Sequence, residues 1–248
     1  MRVLVACEES QAVCKAFRAR GHEAYSCDIQ ECSGGHPEWH IKGDVLPLLE
    51  REDNGNNGWH YIFFKTTDGK DHFVEKWDLI IAHPPCTYLS NAGAARLYPR
   101  KGQLNQERYA KGLEAKRFFM AFYNADCEKV CIENPIPTSV YGLPTYSQII
   151  QPYEYGHPYS KKTCLWLKGL PDLKPTKIIT ENIISWVSGG SKDHKGNPRK
   201  NKGAPFRDAK TRSKTFTGIA EAMAEQWGSE IENKRAFAGE QISIFDIV

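Results

Sequence analysis

Cys86 follows a double proline inside the stretch Trp77–Gly93, WDLIIAHPPCTYLSNAG. A thiol is a strong nucleophile when it is ionised and held in place. The run Leu79-Ile80-Ile81-Ala82 is too short and too apolar for a surface helix and reads as a buried strand. Pro84 and Pro85 end it, because proline cannot continue a central strand. Cys86 therefore stands just past a strand end, where open α/β sheets bind ligands. A buried cysteine acting as a small hydrophobe is the competing reading of the residue by itself. Three carboxylates repeat the placement. Asp28 ends HEAYSCD, Asp44 follows Ile41-Lys42-Gly43, and Glu133 ends KVCIE before Asn134-Pro135-Ile136-Pro137. An acid at the second strand end commonly holds a ribose hydroxyl. Together the four supply one nucleophile and three groups able to hold a proton or a hydroxyl.

The elements that must position them alternate between strands and helices. Arg2–Cys7 (RVLVAC) reads as a buried strand, and Gln11–Arg20 has helical spacing with Val13, Ala16 and Phe17 on one side. Ser10 is the expected N-cap and Gly21 the C′ residue. With His22–Asp28 this makes a strand–helix–strand unit. Asn54–Trp77 reads as an inserted hairpin with its turn at Asp68-Gly69. Glu107–Tyr123 is a helix, Lys129–Glu133 and Thr163–Leu167 are strands, and Ile219–Trp227 is an amphipathic closing helix. The alternation predicts an α/β fold with a mostly parallel, doubly wound sheet. His83 reads as a histidine packing the loop.

The 248 residues are 40% apolar and 25% charged, as in a soluble globular chain. No apolar run approaches the roughly 18 residues of a membrane span. The N-terminus is too weakly apolar for an export signal. A cytoplasmic monomer with eight reduced cysteines is expected, and no metal, since the cysteine spacings do not match a zinc site. The net charge of +3 is unevenly spread. Ser188–Lys214 holds nine Lys or Arg against two Asp, a local +7, so the remainder carries −4. A basic run on an acidic body fits a polyanion such as nucleic acid.

Taken in order, these motifs resemble those of the cytosine-5 DNA methyltransferases, most closely the short phage-associated members. Pro84–Gly93 (PPCTYLSNAG) is similar to the family's catalytic loop, with Ser90, Ala92 and Gly93 in its later places. Glu133-Asn134 is similar to its Glu-Asn pair, Gly43-Asp44-Val45 to its Gly-Asp-Ile, and Asp28 to its ribose-binding acid. The resemblance covers about residues 1–167 and 213–228. It implies a Rossmann-like S-adenosylmethionine-dependent fold that methylates carbon 5 of a flipped-out cytosine in DNA. Cys86 would add to carbon 6 and Glu133 would act as the acid at ring nitrogen 3. Glu8, Glu9, Ser10, Asp28, Ile29, Asp44, Val45 and Pro84 would contact the cofactor. Ser90, Asn134, Lys161 and Lys162 would lie near the substrate. Arg199, Lys200 and Lys202 in the basic run would meet phosphates, which position without specifying.

The chain departs from the family in three places. Its first turn, ACEESQAV, has no glycine, Thr87 replaces the glutamine after the cysteine, and the target-recognition region shrinks to at most Pro171–Arg212. The expected organisation is a catalytic domain of residues 1–170 with 213–230, a basic segment 171–212, and a tail 231–248. That tail contains Gln241–Phe245 (QISIF), similar to peptides that bind the bacterial sliding clamp. A catalytically inactive methyltransferase-like nucleic-acid-binding protein, and methyl transfer to RNA, are the alternatives.

Overall fold

A computed structural model describes residues 1–50, 52–53, 60–94, 96–100, 102–186 and 213–228. The basic run's Arg199, Lys200 and Lys202 and the Gln241–Phe245 peptide lie outside them. Twelve strands are described: β1 Arg2–Ala6, β2 Glu23–Asp28, β3 His40–Lys42, β4 Glu52–Asp53, β5 His60–Lys65, β6 Asp71–Val74, β7 Leu79–Ala82, β8 Val130–Pro135, β9 Gln148–Ile150, β10 Tyr159–Ser160, β11 Thr163–Lys168 and β12 Ile184–Ser185. The helices are α1 Ala12–Ala19, α2 Asn91–Ala94, α3 Gln106–Tyr123 and α4 at 217–228.

Seven strands form one sheet in the order β3-β2-β1-β7-β8-β11-β9. All pairings from β3 through β8 are parallel, and β11 runs antiparallel to both β8 and β9. The sheet is thus mostly parallel and doubly wound, with one reversed strand. The order turns back between β1 and β7. In sheets of this kind ligands bind beyond the strands' carboxyl ends at such a switch point.

Strand alternation divides the core in two. Val3, Val5, Leu79, Ile81 and Leu165 meet α1 and α4 on one face, through Val13, Phe17, Met223 and Trp227. Leu4, Ala6, Ile80, Ala82 and Ile132 meet α3 and the inserted hairpin on the other, through Phe119, Phe122, Phe64 and Trp77. The hairpin turns at Asp68-Gly69, with Gly69 at φ +88°, where a side chain is disfavoured. Apolar residues on both faces explain why the sheet's strands read as continuous hydrophobic runs rather than alternating ones.

Two expectations need correction. Ser10 does not cap α1. Gln11 holds the N-cap position without a side-chain cap, and the first helical N–H groups are met by Glu8 instead. Residues 171–186 also belong to the body rather than to a loose appendage. Leu173 is fully buried among β9, β11 and α4. Lys174 and Gln226 exchange two hydrogen bonds of 2.8 Å, and the indole of Trp227 donates to the Pro171 carbonyl. No described helix is long and apolar enough to cross a membrane.

Candidate active site

The first turn takes a glycine-like shape without glycine. Cys7 and Gln11 both have positive φ, 59° and 56°. A non-glycine residue there costs on the order of 1–2 kcal/mol, so the surroundings must hold it. Gln11 is held through its side chain. Its amide donates to the His36 carbonyl at 2.8 Å and to Ser26, and its oxygen accepts the His36 N–H at 3.1 Å. The folded-back turn brings Glu8 under the start of α1. There its carboxylate accepts the backbone N–H groups of Val13 (2.7 Å) and Cys14 (3.2 Å). Glu8 and Glu9 are buried, and Ser10 is half-buried.

The turn meets the other predicted acids. Burial raises the Cys7 thiol, and the charges of Asp28 and Asp44, with Cys27, raise it further. The ends of β1 and β2 and the turn after β3 therefore converge. Asp28 is half-buried and accepts the Gln30 N–H, while Asp44 is exposed and accepts the Leu46 N–H at 3.0 Å. Val45 is turned into the core. Ile29, next to Asp28, leaves 76% of its surface exposed.

On the other side of the switch point, two successive residues of β8 hold two successive residues of the proline loop. His83 Nδ1–H donates to Glu133 Oε2 at 3.0 Å, and Asn134 Nδ2 donates to the Pro84 carbonyl at 2.8 Å. His83 therefore does more than pack the loop. Asn134, expected near the substrate, is buried and faces the loop backbone. Cys86, half-buried, follows two residues on. Burial pulls the His83 ring down, but the hydrogen bond and charge of Glu133, with the charge of Glu8, outweigh it and raise the ring. Burial pushes the Glu133 carboxyl up. The His83 hydrogen bond, then the charge of Lys161, overcome that and leave it below the usual carboxylate range. Lys161 thus lies within electrostatic reach of the pair; Lys162 is exposed.

The rest of the loop is anchored as firmly. Ser90 is buried, bridges to Pro137 and accepts the Gly93 N–H through its hydroxyl. The Thr138 N–H donates to Leu89 and the Asn91 N–H to Ile136. This joins the loop after β7 to the loop after β8. A Cβ on Gly93 would stand 2.2 Å from the Thr87 carbonyl oxygen, a backbone atom with little room to give, so only glycine fits. From α3, Arg108 donates to the carbonyls of Thr87 (3.1 Å) and Gly93 (3.0 Å), with its guanidinium 4.9 Å from the Tyr88 ring centre. Sequence reasoning missed Arg108, and only the Asn105 cap that starts α3 nearby hinted at its register.

A cleft of about 810 Å3 lies elsewhere among the described residues. It is lined by Leu46, Trp77, Arg117 and Asn124 among others, beside the amino ends of β7 and β8. The site is marked instead by the buried His83–Glu133 pair beside the loop that carries Cys86. No protein-family model matches the chain, and no curated protein matches it.

Proposed function

We infer that the protein is a DNA cytosine-5 methyltransferase using S-adenosylmethionine. The observation that carries this reading is the joining of the Cys86 loop to the Glu133 strand end, through His83–Glu133 and Asn134–Pro84, at the carboxyl edge of the sheet. A nucleophile and an acid fixed on adjacent strand ends suit addition to a ring carbon with proton delivery to a ring nitrogen. The switch-point topology supports it as well, and so does the resemblance of four ordered motifs.

The residues across the switch point fit the cofactor. Its cationic sulfonium suits an edge carrying Glu9, Asp28 and Asp44, and Ile29 offers an uncovered apolar surface for the adenine. The bound cofactor supplies an electrophilic methyl group. The positive φ at Cys7 and Gln11 answers the missing glycines and counts against a merely binding protein. Because Ile29 is exposed, Ile29→Ser should leave the unfolding midpoint unchanged while weakening cofactor binding about tenfold, from the apolar area it no longer covers. Calorimetric titration with S-adenosylmethionine measures this, and an unchanged Kd would remove Ile29 from the site.

The chain's own residues then divide the work. Cys86 attacks carbon 6, and Glu133 holds the proton for nitrogen 3. Ser90, Gly93 and Arg108 shape the loop, and Asn134 locks it to β8. DNA fits the basic run as substrate. Trp186 and Phe216, on either side of it, meet with ring centres 4.7 Å apart, and the Trp186 N–H donates to Ser160, next to Lys161. The described residues that flank the run in sequence thus meet close to Lys161. The test is incubation with DNA and methyl-labelled cofactor, followed by nucleoside analysis. Label is expected in 5-methyldeoxycytidine; a folded, cofactor-bound protein giving none overturns the reading.

A further inference from the structure

We propose that His83 is a positioning residue for Glu133, and that the two side chains share the single proton taken up by cytosine nitrogen 3. This rests on the functional reading above. The imidazole and carboxylate meet at 3.0 Å with side chains only 10% and 13% exposed. Asn134, one residue along β8, grips the Pro84 carbonyl, one residue along the loop, so a second buried hydrogen bond holds the backbone that carries the ring against β8. His83 Nε2 is buried with no hydrogen-bond partner among the described residues, so Glu133 alone orients the ring by hydrogen bonding. The charged groups facing the ring are Glu133 from β8, Glu8 from the turn after β1, and Lys161 from the segment before β11. Both carboxylates favour the imidazolium, whereas burial and Lys161 oppose it.

The proton balance closes within this pair. The resting pair is an imidazolium beside a carboxylate. The Cys86 thiolate forms the bond to carbon 6, and the electron pair of the carbon 5–carbon 6 double bond shifts through carbon 4 to nitrogen 3. His83 Nδ1 passes its proton to the Glu133 carboxylate, which delivers it to nitrogen 3, leaving a neutral ring beside a carboxylate. When carbon 5 takes the methyl group, electrons withdraw from nitrogen 3 and the proton returns to the pair. The carbon 5 proton leaves later to solvent water, as the carbon 6–sulfur bond breaks and the thiolate is released, and the pair has no part in that step.

Two measurements on the full chain test this. The first follows the His83 ring by nitrogen-resolved NMR against pH. In wild type it should titrate above its ordinary 6.5, and in Glu133→Gln below it. A wild-type ring at or below that value overturns the shared proton, whatever the enzyme does. The second compares methyl transfer to DNA by wild type and His83→Asn, whose amide keeps a donor without a mobile proton. The rate ratio should grow about tenfold between about pH 5.5 and about pH 7.5, as the carboxyl acting alone runs out of protons. A ratio constant with pH means His83 only packs the loop, and overturns the proposal. No transfer by wild type at any pH would instead sink the functional reading, and the NMR titration separates the two failures.

Discussion

On the proposed mechanism, Cys86→Ala should abolish methyl transfer, by on the order of 10⁴-fold or more, because it removes the group that makes the bond to carbon 6. The same substitution should remove the covalent complex expected of wild type with DNA containing 5-fluorocytosine. Fluorine cannot leave carbon 5 as a cation, so once the methyl group has arrived the carbon 6–sulfur bond cannot break. The wild-type chain should then run with the DNA on a denaturing gel, and only when cofactor is present. Cys86 is half-buried in a loop held by Asn134, Ser90 and Arg108, so alanine should shift unfolding by no more than about 1 kcal/mol. A folded Cys86→Ala variant that still crosslinks would assign the nucleophile to another residue. Cys7, Cys14, Cys27 and Cys131 are poor substitutes, since burial raises each of their thiols.

The strand ends that carry Asp28, Asp44, Cys86 and Glu133 were legible because a sheet buried on both faces writes its strands as short apolar runs. Prolines and carboxylates then mark where each run stops. The hairpin turn at Asp68-Gly69 and the closing helix were legible for similar local reasons. Strand direction was not, because the pattern TCLWL is equally buried whichever way β11 runs. Nor was the pairing of His83 with Glu133, which lie fifty residues apart. A histidine beside two prolines shows nothing of which carboxylate the fold will bring to it. The missing glycines of the first turn pointed to a defect. The backbone instead takes the left-handed shape at Cys7 and Gln11, and the compensation comes from Gln11's bonds to His36 and Ser26, which no turn propensity records. Glu8 was read as facing the cofactor, and its capping of α1 follows from that same folded-back turn.

Glu133→Gln should lower methyl transfer by roughly 10²–10⁴-fold, the usual worth of a general acid. Glutamine can donate a hydrogen bond to nitrogen 3 but cannot give up a proton to it. The same substitution has a pH signature in stability. Glu133 lies below its ordinary 4.5 in the folded protein, and His83 lies above its ordinary 6.5. A depressed carboxylate stabilises the fold above its unfolded value, and that contribution fades as pH falls through the folded value. A raised imidazole stabilises below its unfolded value and fades as pH rises through the folded one. The pair therefore contributes fully between pH 4.5 and 6.5 and declines on both sides. Glutamine's amide oxygen still accepts the His83 Nδ1–H, so the loss inside that window should be about 1–3 kcal/mol rather than the larger cost of stranding a charge. Denaturant unfolding of both proteins at several pH values measures it. The difference should peak in the window and shrink on the alkaline side only as pH rises through the raised value of the ring, where it becomes neutral. A pH-independent difference would mean that the contact shifts the titration of neither group, and the imidazole would then not be the source of the proton Glu133 delivers.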